Sequence, residues 1–102
     1  METTGALTTP LHFSTTYQHP EFGQSTGYDY TRTKNPTRVS LEETLAAIES
    51  ANYALATSSG MSAIVLAFSA FPFGSKVLAV RDLYGGSFRW FAQAEAEGRF
   101  AF

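Results

Sequence analysis

The segment Met61 to about Ala70 is apolar nearly all round, with Ile64, Val65, Leu66 and Phe68 distributed over every face of a helix. A helix of that kind belongs inside a larger body, because no face is left for water. The surrounding sequence must therefore supply a cover. It offers little polar surface to work with: charged residues are 16% of the 102 and hydrophobic residues 44%. Such a composition does not remain disordered. The apolar stretch itself, Met61 to Phe73, is interrupted by Ser62, Ser69 and Pro72 and is too short for a bilayer span. A membrane partner is not expected.

Charge and cysteine usage exclude further classes. Seven Lys+Arg stand against nine Asp+Glu, and the basic residues are spread along the chain, which disfavours nucleic acid as a partner. With no Cys there is no disulfide scaffold, thiolate nucleophile or thiolate zinc site. Met1 to Leu11 carries Glu2 and four Thr without a basic start and apolar core, so a secretion signal is not read there and a cytoplasmic location is expected. His12 and His19 have no carboxylate or Cys partner at ligand spacing, and no metal site is expected.

Residues 1–36 hold three of the four Pro and three of the eight Gly with no sustained period, the pattern of an extended, irregular arm that needs a surface to lie on. Order begins at Asn35-Pro36, where Asn caps a first helical turn and Pro has its φ preset. Leu41, Leu45 and Ile48 then recur on one face and predict an amphipathic helix over about 37–50. Tyr53–Thr57 fits a buried strand, although period alone does not separate it from helix. After the Ser58-Ser59-Gly60 break come the apolar helix to about residue 70 and a β-rich run, Lys76–Val80, of the parallel-sheet type. Residues 81–87 read as a loop and Phe88 to about Glu97 as helix, with Trp90 and Phe91 as packing residues. Gly98 ends that helix, and Arg99–Phe102 opens a further strand. The order helix, strand, helix, strand, helix, strand argues for an α/β parallel sheet. An all-round apolar helix under three short strands reads as part of a larger protein, a complete mini-domain being the alternative. The expected organisation is an arm over 1–36 and the start of an incomplete α/β domain over 37–102.

Three places carry chemistry. Ser59, Gly60 and Met61 sit where strand hands over to helix, so unpaired first-turn amides and the helix dipole favour an anion such as phosphate; Gly there also suits a plain turn. Tyr30 and Arg32 fall on one side if the chain is extended, bringing a hydroxyl and a guanidinium to one target, or forming a solvated surface pair. Tyr84-Gly85-Gly86 follows a strand at the end where open α/β sheets bind ligands, or is an ordinary turn with a half-buried ring.

Taken together, Tyr-x-Arg-x-x-Asn-Pro-Thr (Tyr30 to Thr37), Ser-Gly-Met (Ser59 to Met61) and Asp-x-Tyr-Gly-Gly-Ser (Asp82 to Ser87) resemble the N-terminal portion of the Cys/Met metabolism enzymes that use pyridoxal phosphate. The resemblance runs from about Thr4 through Phe102. It is nearest to the bacterial cystathionine gamma-synthase/O-acetylhomoserine thiolyase branch, through Phe13–Tyr17 and Ser25–Arg32. It implies the aspartate-aminotransferase-like fold, pyridoxal 5'-phosphate as cofactor, an amino-acid substrate such as activated homoserine, and a homo-oligomer. Within it, the amides of Gly60 and Met61 beside Ser59 would hold the cofactor phosphate. Tyr30 and Arg32 would reach the phosphate of a neighbouring subunit. Tyr84 would stack on the pyridine ring near the substrate amine. The family's Schiff-base lysine and its pyridine-pairing aspartate lie downstream of these residues, and neither Lys34 nor Lys76 fits the lysine's role. The 102 residues alone are expected to be inactive. A non-catalytic remnant that only associates through its arm and apolar helix is the alternative. Lys34 stands where relatives often have Gly, which bears on the path of the arm loop.

Overall fold

The computed structural model describes residues 4–102, which form two compact units, residues up to Ala56 and Thr57–Phe102.

In the first unit, helix α1 spans Pro36–Ile48. Asn35 caps it as expected, with its Oδ1 accepting from Thr37 N at 2.8 Å and Pro36 at the first helical position. The helix ends in a double-bonded reverse turn: Ser50 N donates to Ala47 O and Ala51 N to Ala46 O, which requires a left-handed residue between them. That residue is Ser50, at φ 53°, where glycine is the usual occupant. The stripe expected to be buried is not: Leu41, Leu45 and Ile48 are exposed, and Ala46 is the buried residue. The chain returns instead along the side bearing Val39, Glu42 and Ala46, where residues 52–55 line a common groove. Tyr53–Thr57 is not a strand. A strand needs a hydrogen-bonded neighbour, and here Ala56 N donates to the Glu42 carboxylate at 2.9 Å.

From residue 4 to the cap Asn35 the chain is irregular and lies on the start of α1. His12 N donates to Thr37 Oγ1 at 2.8 Å, Asn35 Nδ2 to His12 O at 3.0 Å, and Thr9 and Ser40 hydroxyls meet at 3.1 Å. Further along, an antiparallel bridge pairs Thr16 with Tyr30, flanked by Thr31 N to Thr15 O and Tyr17 N to Asp29 O. The loop so closed is pinned by a 2.8 Å contact between His19 Nε2 and Asp29 Oδ1 and by Ser25 donating to the same carboxylate. His19 thus has a carboxylate partner that sequence spacing did not reveal, since the bridge brings together residues ten apart.

In the second unit, α2 spans Gly60–Ser69, β1 Ser75–Lys76, α3 Gly85–Ala96 and β2 Phe100–Ala101. The strands pair in parallel, Ser75 with Phe100 and Lys76 with Ala101, and α3 is the crossover between them. Gly74 N to Arg99 O and Val77 N to Ala101 O continue the ladder by one bond at each end. Both strands are shorter than the sequence suggests. Beyond Val77 no neighbour is present among the described residues, and Leu78 is fully exposed at 100%. Lys76, expected to open a buried strand, is exposed.

The core of this unit is aromatic. Phe68 of α2 meets Phe91 edge to face at 4.7 Å and lies within 6.0 Å of Trp90 and Phe100, while Phe91 stacks on Phe102 at 5.1 Å. Only this side of α2 is used, and no residue of α2 is buried, in contrast to the expectation for an all-round apolar helix. Gly98, at φ 71°, ends α3 as predicted, with Gly98 N to Glu95 O and Arg99 N to Ala94 O. Among the described residues no helix is long and apolar enough to cross a membrane.

Candidate functional site

The second unit brings two helix starts together. At α2, Ser59 is the N-cap, with Oγ accepting from Ser62 N at 3.1 Å, and Ser59 O takes Ala63 N at 3.1 Å. Gly60 and Met61 occupy the first two positions, where an amide has no intrahelical acceptor. Neither donates to a protein group among the described residues. The Ser59 hydroxyl is therefore committed to the cap, and the free donors are the two amides after it.

The reason for glycine at position 60 can now be separated from turn geometry. Its φ is not positive, and a Cβ built there would meet nothing within 4 Å. Nothing among the described residues demands glycine at 60. A side-chain-free residue beside two unpaired amides leaves a close approach open to an anion.

The second helix start is where sequence reasoning fell short. The loop expected over 81–87 is shorter: α3 begins at Gly85 with Tyr84 as its N-cap and no side-chain cap. Glycines cost little in a first turn, where few intrahelical bonds are at stake, so tertiary contact overrides their low propensity. Gly86 has a specific duty. A Cβ there would lie 2.6 Å from Tyr84 Cε1 and 3.4 Å from Met61 Sδ. The Tyr84 ring thus lies folded back over Gly86, next to the residue that follows Gly60. Ser87, buried, donates to Met61 Sδ at 3.5 Å and ties α3 to the start of α2. Met61 is expected for its amide; the contact of its thioether with Ser87 is the link that the sequence does not announce, beyond the small residues at 86 and 87. Tyr84 is 73% exposed, so one face of its ring is free to receive a flat partner.

Tyr30 and Arg32 lie in the first unit. They meet each other, Arg32 Nη2 standing 3.4 Å from Tyr30 Oη with its guanidinium 5.1 Å from the ring centroid, which is the surface pair given as the alternative. The cause is not strand alternation. Residues 31–33 form a turn in which Thr33 N and Lys34 N both donate to Tyr30 O at 3.0 Å, and the turn folds Arg32 back onto Tyr30. Lys34 has a negative φ, so it takes this path without strain, and its ammonium sits 5.1 Å above the Tyr28 ring.

This inventory fits pyridoxal phosphate in kind: two adjacent free amides at a helix start for a phosphate, an exposed ring near the Met61 thioether of the same helix for an aromatic ring, and the Arg32–Tyr30 pair in the first unit. Comparison with known proteins points the same way. A cystathionine gamma-synthase/O-acetylhomoserine (thiol)-lyase of Bacillus subtilis is 46% identical over 90 residues, covering 88% of this chain and 24% of that protein. A cystathionine gamma-synthase of Haemophilus influenzae is 48% identical over 88 residues, with coverages of 86% and 24%. The structure of cystathionine gamma synthase from Xanthomonas oryzae pv. oryzae in complex with cystathionine superposes with a TM-score of 0.86 at 40% identity, over 97% of this chain and 26% of that one. The expected fold class is thereby shown: the α/β chain corresponds to the N-terminal part of such enzymes and spans about a quarter of their length. Since the family model matches residues 1–100, the chain belongs to the Cys/Met metabolism PLP-dependent enzyme family.

Proposed function

We propose that this chain supplies the phosphate cradle and ring support of a pyridoxal-phosphate enzyme with cystathionine gamma-synthase-like activity, replacing or eliminating the γ-substituent of an activated homoserine. The observation that carries the reading is the joint start of α2 and α3. There the unpaired amides of Gly60 and Met61 open α2, and the Met61 thioether reaches Gly86, over which the Tyr84 ring is folded. When bound, pyridoxal phosphate supplies the electron sink for this chemistry. The chain's own residues bind and orient. Gly60 N and Met61 N donate to phosphate oxygens, aided by the dipole of α2. Ser59 keeps the third first-turn amide, that of Ser62, occupied, so the helix start stays fixed. Tyr84 would stack on the pyridine ring, and its phenol would be available for proton transfer.

Tyr30 and Arg32 serve the phosphate of a neighbouring subunit in a homo-oligomer, Arg32 through its fork and Tyr30 through its hydroxyl. The arm over 1–36 is then an intersubunit contact, and 37–102 belongs to the cofactor-binding domain. The work is done in the cytoplasm on small amino acids.

Equilibrium dialysis of the chain against pyridoxal 5'-phosphate and against unphosphorylated pyridoxal tests the reading. Preference for the phosphate ester of at least about tenfold is expected from one or two charge-assisted hydrogen bonds. Equal retention of the two, or none of either, refutes the cradle and leaves a module that associates through the exposed apolar surface of α2.

A further inference from the structure

Arg38 is half-buried in α1 and its guanidinium faces backbone rather than solvent. Nη2 donates to Thr33 O at 2.8 Å and approaches Arg32 O at 3.5 Å, while Nη1 donates to Thr31 O at 3.4 Å. Three successive carbonyls of the turn after Tyr30 are thus gathered on one cation. On its other side Nε stands 3.9 Å from Glu42 Oε1, and that carboxylate accepts from Ala56 N at 2.9 Å. The guanidinium is held from both ends, by a carboxylate anchored to the returning chain and by the turn.

The turn has little else to define it. Its internal bonds all converge on one atom, Tyr30 O, which accepts from Thr33 N, Lys34 N and Thr33 Oγ1. Outside help enters at Thr31, whose Oγ1 accepts from Asn35 Nδ2 at 2.7 Å and whose N donates to Thr15 O at 2.9 Å. A turn bonded through a single carbonyl can pivot about it. Fixing the outward carbonyls of residues 31, 32 and 33 removes that freedom, and with it the freedom of the side chains at 30 and 32.

We propose that Arg38 is the positioning residue of the arm: it clamps the 31–33 carbonyls and thereby aims Tyr30 and Arg32 at their anion, without touching the anion itself. The proposal rests on the assignment of Tyr30 and Arg32 to a phosphate. It divides labour between two arginines six residues apart. Arg32 is exposed and keeps donors for a ligand; Arg38 spends its donors on the protein. Only a planar fork spans three carbonyls and a carboxylate at once, so lysine is no substitute.

The test uses the full chain and four variants, Arg38→Lys, Arg38→Ala, Arg32→Ala and the double Arg32→Ala with Arg38→Lys. Amide hydrogen exchange of Thr33 and Lys34 is followed by NMR, with the interior amides of α1 as reference. Arg38→Lys and Arg38→Ala are expected to speed exchange at Thr33 and Lys34 at least about tenfold while α1 is unchanged. Unchanged rates at the turn, or an equal rise along all of α1, would overturn the proposal; Arg38→Lys serves where Arg38→Ala does not fold. Pyridoxal phosphate affinity then separates the two layers of the argument. Where Arg32→Ala weakens binding, the cost of Arg38→Lys should shrink in the Arg32→Ala background to the part that acts through Tyr30, and full additivity would refute action through Arg32. Where Arg32→Ala leaves binding unchanged, the phosphate assignment fails, and the exchange rates alone still decide whether Arg38 holds the turn.

Discussion

Gly60→Pro removes one donor of the candidate cradle and sets a ring where the chain has no side chain, so the loss of that donor is the least it should cost. Proline at the first position of a helix is well tolerated, because the amide it removes has no intrahelical acceptor. The residue before it must be extended, and Ser59 is, at φ −157° and ψ 158°. Space is also available, since a Cβ at 60 meets nothing within 4 Å. The substitution therefore deletes one free N–H and should leave α2 standing. If that N–H donates to a cofactor phosphate, the loss is one hydrogen bond to a charged group, about 1.5–3 kcal/mol. At 25 °C this converts to roughly a 13- to 160-fold rise in Kd for pyridoxal 5'-phosphate. The assay is a cofactor titration beside a far-UV circular dichroism spectrum and a thermal melt. An intact spectrum with weakened binding is expected. An intact spectrum with unchanged affinity would refute the role of the Gly60 amide, whatever the family relationship.

Gly86→Ala should leave stability within about 1 kcal/mol, helix propensity offsetting the displaced ring, while cofactor affinity falls about two- to twelvefold as stacking worth about 0.5–1.5 kcal/mol is lost; titration and thermal melting read both. Ser50→Gly relieves a left-handed serine at the end of α1 and should stabilise the first unit by about 1 kcal/mol in urea unfolding followed by circular dichroism. Asn35→Ala removes the cap of α1 together with the donor to His12 O and Thr31 Oγ1, and should cost about 2 kcal/mol or more in the same assay. Phe68→Ala opens the aromatic cluster of the second unit and should destabilise it by about 3 kcal/mol, read by the shift of Trp90 emission on denaturation.

What the sequence made legible was local. Asn35-Pro36, Ser59-Gly60 and Gly98 announce helix ends through their own side chains or backbone freedom, and the structure places ends at all three. The three motif regions could be named because each depends on residues adjacent in the chain. Misreadings arose where the outcome depends on a neighbour. Tyr53–Thr57 and Leu78–Val80 have strand composition, but a ladder requires a second edge, and none lies beside them among the described residues. Leu41, Leu45 and Ile48 mark an apolar face correctly; which face is covered depends on where residues 52–55 return. The start of α3 at Gly85 was hidden because glycine propensity argues against it, while the Tyr84 ring and Met61 that hold Gly86 are tertiary. Arg38 was invisible as a clamp for the same reason: its partners are carbonyls, which every residue has.

The distribution of aromatic residues has an optical consequence. Trp90, the single tryptophan, lies in the ring cluster of the second unit, whereas Tyr17, Tyr28, Tyr30 and Tyr53 all belong to the first. Emission excited at the red edge of the indole band therefore reports on one unit alone, and tyrosine absorbance is weighted toward the other. A single unlabelled sample followed at two wavelengths can reveal whether the arm with α1 and the α2–α3 body melt together or in sequence.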